Sequence, residues 1–159
     1  MGMDLYGIKP TEHMKATPLL KKVRNDFNEF FKLKKGEQDK YLKQNREYEK
    51  VNVGAYFRNS VWYWRPLWKY VCKVCNLSTD VYQQGNRNEG YKVDAVAAKD
   101  IAVTLFLLLE RGDVDRYAKE YFKRAEKCGD SAEYPFDMQN VRDFAVFCDE
   151  LQYVKSSHD

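Results

Sequence analysis

The sequence predicts a mainly α protein: a single-domain, irregular bundle of about six helices with an aromatic-rich core. Two observations predict the helices, since apolar residues recur at helical spacing in several segments and short glycine-marked loops join those segments. A third argues against a core sheet, because no segment alternates apolar and polar residues convincingly. The 159 residues fit one domain, 1–159, with a single sizeable core.

The start of the chain predicts an extended lead-in followed by a helix. Residues 3–7 form a short apolar strip that ends in glycine, and we expect this strip to pack in extended form on the body. Thr17 then offers an N-cap, and Pro18 suits the first helical position, where no donor is needed. Apolar residues at helical spacing extend this helix over about 18–34, and Gly36 is expected to end it.

Residues 15–50 are predicted to form a basic helical arm. They carry 11 Lys and Arg residues against 6 Asp and Glu, a net charge of +5 in a chain of net charge +3. A second helix over 38–50 has few apolar side chains, so we expect the arm to be mobile or to depend on a partner. Such a lysine-rich run is typical of a solvated helical face, and a surface that faces anions or nucleic acid is the alternative.

Residues 51–154 are predicted to form the core body. Pro66 lacks a backbone donor and would kink a helix that ran through it. We therefore expect a turn or short helix over 58–64 and a separate helix over 66–77. The segment 80–90 is polar and contains two glycines, which predicts a loop.

Three further helices are predicted in the second half of the chain. The helix over 95–110 follows a capping residue, Asp94, and is apolar on more than one face, so we expect it to be the central helix of the core. Another helix covers about 113–127. The last begins after an N-cap at Asp137, and the tail from Lys155 is polar and expected to fray.

The block 56–69, with the sequence YFRNSVWYWRPLWK, holds all three tryptophans and sets two arginines and an asparagine among them. Flat rings can stack on a nucleobase, and arginine forks match phosphate oxygens. The turn 88–92 could add donors to the same ligand. Alternatively, the tryptophans are core residues and the arginines pair with acidic side chains. The predicted ligand-binding residues are Tyr56, Arg58, Asn59, Trp62, Trp64, Arg65, Trp68, Asn88, Tyr91 and Lys92.

Catalytic motifs are lacking in this sequence. The two histidines, His13 and His158, lie near the two termini, so a histidine-based triad is not expected. No glycine motif that cradles a phosphate is present either. We therefore predict that the protein is not an enzyme and needs no cofactor.

The four cysteines raise the question of a metal site. Cys72 and Cys75 could form half of a zinc site, with Cys128 and Cys148 as the other half. The apolar helical pattern around the first pair favours buried, reduced thiols instead. We predict no metal site, and zinc binding remains the alternative.

Four sequence blocks carry a resemblance to a known group of proteins. These blocks are MDLYG (3–7), YFRNSVWYWRPLW (56–68), NEGYK (88–92) and YPFDMQNVRDFAVFC (134–148). Together they resemble a family of small, largely uncharacterised proteins from bacteriophages and bacterial genomes. The resemblance implies a phage accessory protein and no established chemistry.

The leading functional hypothesis is a non-enzymatic anti-defence protein that sequesters a small phosphorylated, nucleotide-derived ligand in the aromatic and arginine block. Tight sequestration favours a pocket at a subunit junction, so a homo-oligomer is expected. The first alternative is a protein-binding inhibitor of a host factor, which would use the tyrosines and the arm 15–50. The second is nucleic-acid binding through the same arm.

The sequence also predicts where the protein works. Residues 1–20 lack the apolar core of an export signal, and the longest apolar run, 101–109, is too short to cross a bilayer. We therefore expect no membrane association and a location in the cytoplasm of a bacterial host cell.

Overall fold

The structure, a computed structural model, describes residues 2–87, 93–128 and 135–151. Most of these residues are helical, which confirms the predicted mainly α class, and the described ranges contain eight helices and two strands. In chain order they are β1 (Gly2–Tyr6), α1 (Pro18–Asn25), α2 (Asn28–Phe31), α3 (Lys35–Val51), β2 (Tyr56–Ser60), α4 (Val61–Val74), α5 (Thr79–Gly85), α6 (Ala95–Glu110), α7 (Asp113–Cys128) and α8 (Met138–Asp149).

The main hydrophobic core lies between α4, α6, α7 and α8. Helix α6 packs along α8 over most of its length, and α7 and α4 close the other sides. The buried side chains form one cluster to which aromatic residues contribute heavily, as predicted. The largest of them are Phe57, Trp64, Trp68, Tyr70, Phe136, Phe144 and Phe147.

A two-stranded antiparallel sheet covers one side of this core. Strands β1 and β2 pair in a register that places Met3 opposite Asn59 and Leu5 opposite Phe57. The lead-in is extended as predicted and is paired as a strand, whereas 56–60 is a strand and not the start of a turn or short helix. The pairing joins residues fifty or more positions apart, and local sequence analysis sees only two or three apolar positions in each strand.

The arm has a small hydrophobic cluster of its own. Leu20 and Val23 of α1 pack with Tyr41 and Tyr48 of α3 and with Ala55. These few side chains are fully or almost fully buried. Helices α1 and α3 are therefore held together by apolar contacts despite the polar composition of the segment.

The predicted first helix, 18–34, is broken in the structure. Thr17 caps α1 as expected, because its Oγ1 accepts a hydrogen bond from the Leu20 amide at 3.2 Å. At Asp26 the backbone becomes extended, and Oδ1 of Asp26 accepts from the Asn28 amide at 3.1 Å. This local bond competes with helix continuation. Gly36 does not end a helix but lies in the first turn of α3.

Two predictions in the body are also wrong. Helix α4 begins at Val61 after an N-cap at Ser60 and runs through Pro66, although a break was expected there. Pro66 is buried in α4, so burial offsets a proline cost of about 3 kcal/mol. The first part of the predicted loop 80–90 belongs to the short helix α5.

The last three helices lie where the sequence places them. Asp94 caps α6, because its Oδ1 accepts from the Ala97 amide at 2.8 Å, and Asp137 caps α8. Only one side of α6 is fully buried, through Ala98, Ile101, Ala102 and Leu105, whereas other apolar residues of this helix are exposed. The predicted frayed tail from Lys155 lies outside the described residues.

A close backbone approach joins the N-terminal lead-in to the body. A Cβ atom on Gly7 would lie 1.8 Å from the Gly54 carbonyl oxygen, and one on Gly54 would lie 2.3 Å from the Glu150 carbonyl oxygen. Next to this contact, Thr11 donates its amide hydrogen to the same Glu150 oxygen at 2.8 Å. Only glycine allows this approach, so the end of β1, the linker before β2 and the end of α8 meet at one junction.

Asn52 fastens the segment before α1 to the end of α3. Its side chain is completely buried, and its Oδ1 accepts from the amides of His13 at 2.6 Å and Met14 at 3.0 Å. Its Nδ2 donates to the Met14 carbonyl oxygen at 2.9 Å. One side chain therefore satisfies three polar groups of the passing backbone.

We expect Asn52→Ala to lower the free energy of unfolding by about 1–3 kcal/mol, because it leaves these backbone groups without their partner. Urea unfolding followed by circular dichroism measures the change. Asn25→Ala, at the exposed end of α1, is the matched control and should stay within about 0.5 kcal/mol of the parent. Equal effects of the two substitutions would contradict this role of Asn52.

Candidate functional site

The aromatic block 56–69 is divided between the core and the surface. Trp64 and Trp68, four residues apart on α4, stack with ring centroids 5.3 Å apart and an interplanar angle of 12°. Phe144 of α8 meets both indoles edge-on, at 5.6 Å and 6.5 Å. Trp64 is 2% exposed and Trp68 is 3% exposed, so these two rings join α4 to α8 inside the core.

The indole N–H groups of this pair are satisfied by α5. Trp64 Nε1 donates to the Gly85 carbonyl oxygen at 2.8 Å, and Trp68 Nε1 donates to the Tyr82 carbonyl oxygen at 3.0 Å. Both predicted site residues are therefore core residues with satisfied donors, which is the alternative that the sequence left open. Neither presents a ring face to a ligand in solvent.

Another side of α4 carries the exposed part of the block. Trp62, Arg65 and Lys69 are spaced by three and four residues, so they lie on one helical face. Trp62 is 53% exposed, and Arg65 and Lys69 are also exposed. Arg58, exposed in the middle of β2, precedes this face in the chain. We call these four residues, Arg58, Trp62, Arg65 and Lys69, the outer face.

Tyr56 and Arg58 are linked to Asp4 across the sheet. The Tyr56 hydroxyl donates to Asp4 Oδ1, and Arg58 Nε lies 3.8 Å from the same oxygen. Burial, together with the hydrogen bond to Asp4, raises the pKa of Tyr56 to about 12. Tyr56 thus has a structural role in the sheet, and Asp4 partly balances the charge of Arg58.

Asn59 is engaged by α8. Its side-chain amide exchanges two hydrogen bonds of 2.9 Å with the amide of Asn140. This pair ties β2 to the first turn of α8 and occupies much of the hydrogen-bonding capacity of Asn59. Sequence analysis missed Asn140 as a partner, and the only signal was its position in the resembling block 134–148.

Of the remaining predicted site residues, Asn88, Tyr91 and Lys92 lie outside the described residues. The structure adds Lys69, which sequence analysis missed. Lys69 could have been found from its spacing of seven residues from Trp62. This spacing places both residues on one helical face only if the helix continues through Pro66. That continuation was not expected, so Lys69 was not identified.

The cysteines described by the structure are buried or half-buried free thiols. Burial raises the pKa of Cys75 to about 11 and that of Cys72 to about 12, and it raises the pKa of Cys148 as well. In the part of the chain that the structure describes, no group of three or more His, Cys, Asp or Glu side chains could hold a metal ion.

His13 Nε2 lies 3.2 Å from Glu150 Oε2 at the surface.

Comparison with known proteins finds no matching family model, no matching curated protein and no matching solved structure. Within the described ranges, none of the helices is both long enough and apolar enough to cross a membrane. The case for a function therefore depends on the chemistry of the described side chains.

We expect Gly85→Ala to destabilise the fold, because the new Cβ would lie 2.1 Å from Trp68 Nε1. That ring is fixed in the core, so the substitution should lower the free energy of unfolding by about 1–3 kcal/mol. Gly36→Ala is the matched control, since nothing lies within 4 Å of its Cβ position. Tryptophan fluorescence during urea unfolding measures both, and the Gly36 variant should be neutral or more stable by up to about 1 kcal/mol. A neutral Gly85→Ala would refute the close approach.

The raised thiol pKa values predict slow alkylation. An ordinary thiol has a pKa of 9.0, so at pH 8 a thiol with a pKa of about 11 has roughly 100-fold less thiolate, the reactive form. In a Cys128→Ser variant, the three remaining thiols should react with iodoacetamide at least about 100-fold more slowly in the native protein than in guanidinium. Peptide mass spectrometry assigns each site. A thiol that reacts rapidly in the native state would contradict the burial described for it.

Proposed function

We propose that this protein is a non-enzymatic binding protein that takes a small phosphorylated, nucleotide-derived ligand on the outer face. The observation that carries the proposal is the division of the block 56–69 into a buried and an exposed half. The indole of Trp62 and the guanidinium groups of Arg58 and Arg65 are exposed. The other two indoles are buried and fix α4, which carries Trp62 and Arg65, in the core. The exposed groups are therefore mounted on a rigid support.

The outer face combines the two chemistries that a nucleotide needs. A nucleobase stacked on Trp62 would gain on the order of 1–3 kcal/mol. The Arg65 fork can bind two phosphate oxygens, and Lys69, one turn further along α4, adds a positive charge. Arg65 shares a helical face with Trp62 and Lys69, so we assign the main phosphate contact to it.

The N-terminal end of the outer face, at Trp62, also favours an anion. Trp62 lies in the first turn of this 14-residue helix, directly after the Ser60 cap. The first-turn amides and the helix dipole carry a partial positive charge, which adds to that of the arginines. This contribution supports the side-chain chemistry and would not suffice without it.

The biological role that we propose is the sequestration of a nucleotide-derived immune signal by a phage protein in the cytoplasm of a bacterial host. The resemblance of the four sequence blocks to phage proteins supports this role. The outer face is an open surface, and tight sequestration requires most of a ligand to be covered. We therefore include a homo-oligomer in the proposal, in which a second copy covers the bound ligand.

The first test is to identify a bound molecule directly. The protein is purified from phage-infected or defence-activated cells and heat-denatured, and the released small molecules are analysed by mass spectrometry. We expect a nucleotide-like species in stoichiometric amount. If no such species is released and the protein still blocks a host pathway, the proposal is wrong and a protein partner must be sought.

The second test locates the binding site with paired variants. Titration of the released species should give affinities at least about tenfold lower for Trp62→Ala and Arg65→Ala, because a stacking contact or a charged hydrogen bond is lost. Phe122→Ala on α7 and Arg46→Ala on α3 are the matched controls, since both parent side chains are exposed and distant in sequence. Affinities that fall equally in the control variants would place the ligand elsewhere.

A further inference from the structure

The arm carries an exposed aromatic surface that the proposed ligand does not use. Phe27 and Phe31 are 56% and 70% exposed, and Phe30 lies between them, half-buried. We call these three residues the phenylalanine surface. Large apolar side chains grouped at the surface mark interaction sites.

The three rings pack on one another. Phe27 and Phe30 are stacked with centroids 5.3 Å apart, and Phe31 meets them edge-on at 5.6 Å and 5.7 Å. Because each ring is covered in part by the others, the three rings form one apolar cluster at the surface. It does not form a row of separate ring faces, which a single-stranded nucleic acid would need for stacking.

The phenylalanine surface is held in place by the rest of the arm. Phe30 packs on the buried Tyr41 of α3 with centroids 5.7 Å apart, and Gln38 Nε2 donates to the Phe30 carbonyl oxygen at 3.1 Å. The bond between Asp26 and the Asn28 amide fixes the start of α2. A partner would therefore meet a preorganised surface and lose little conformational entropy to it.

Lysines are in excess in the stretch 21–40, which contains the phenylalanine surface. This stretch carries seven Lys and Arg residues against four Asp and Glu, a net charge of +3. Glu29 pairs with Lys22 at 3.6 Å and with Lys32 at 3.0 Å. Within the described residues, no carboxylate pairs with the exposed Lys21, Lys34 or Lys35, and the other carboxylates of the stretch are the exposed Asp26, Glu37 and Asp39. The rim of lysines beside the apolar centre therefore leaves an excess of positive charge.

We propose that the phenylalanine surface is a docking site for an acidic segment of a partner protein, one that carries an apolar side chain flanked by Asp or Glu. The apolar side chain would contact Phe27 and Phe31, and the carboxylates would meet the lysine rim. This arrangement has the apolar centre and the charged rim of a protein interface. The site is separate from the outer face and does not depend on the ligand proposed there.

The test uses random 12-residue peptides displayed on phage, selected on the full-length protein with the Phe31→Ser variant as the counter-selection. We expect the selected peptides to be enriched in Asp or Glu together with Leu, Phe or Trp. Fluorescence anisotropy of a selected peptide should give an affinity at least tenfold lower for Phe31→Ser and several-fold lower for Lys34→Glu. Phe122→Ser and Lys123→Glu on α7 are the matched controls and should bind as the parent does, as should Trp62→Ala.

Several results would overturn the proposal. Selected peptides that are basic or neutral, or that bind Phe31→Ser as well as the parent, would exclude an acidic segment at this surface. A Phe31-dependent affinity for single-stranded DNA that falls steeply with salt would assign the surface to nucleic acid. Light scattering that shows a dimer of the parent and a monomer of Phe31→Ser would mean that a second copy covers it.

Discussion

The stack of Trp64 and Trp68 against Phe144 is the interaction on which the rest of the structure depends. It fixes α4 to α8 through ring contacts and fixes α5 to α4 through the two indole hydrogen bonds. With Trp64 and Trp68 turned inward, helical geometry leaves Trp62, Arg65 and Lys69 on the solvent side. The candidate site is thus a consequence of the core: the same helix that closes the core presents the outer face.

The junction of Gly7, Gly54 and Glu150 has the corresponding role for the start of the chain. Three backbone segments meet there, and Asn52 holds the entry to α1 against the end of α3. The arm therefore does not rely on its small hydrophobic cluster alone. Within the arm, the buried Tyr41 packs on Phe30, and Phe30 stacks on the exposed Phe27.

The sequence predicted the elements whose information is local. Helices α6 and α8 have clear caps at Asp94 and Asp137 and regular apolar spacing, and both lie where the sequence placed them. The strand pairing was missed because each strand depends on a partner fifty or more residues away. The break at Asp26 was missed because one side-chain hydrogen bond outweighs an apolar periodicity that continues past it.

The sequence did not separate the buried side of the block 56–69 from its exposed side, and one residue explains most of this error. Because Pro66 was interpreted as a helix stop, the block 56–69 was divided into two segments. The faces of one helix running through the block were therefore not compared. Because α4 is continuous from Val61, its period of 3.6 residues places Trp64 and Trp68 on one face and Trp62 and Arg65 on another. The roles of Tyr56 and Asn59 could not be inferred in this way, because their partners, Asp4 and Asn140, are distant in the chain.

The two exposed surfaces differ in the chemistry of their cations, and this difference separates their proposed partners. The outer face combines two arginines and Lys69 with an indole; its arginines favour planar, bidentate contact with a phosphate, and its indole favours stacking of a base. The phenylalanine surface uses lysine, a mobile point charge, around rings that have no polar atom. A rim of lysines can pair with carboxylates at varied positions, whereas the phenylalanine rings pack against an apolar side chain. A small phosphorylated ligand therefore suits the first surface, and an acidic protein segment suits the second.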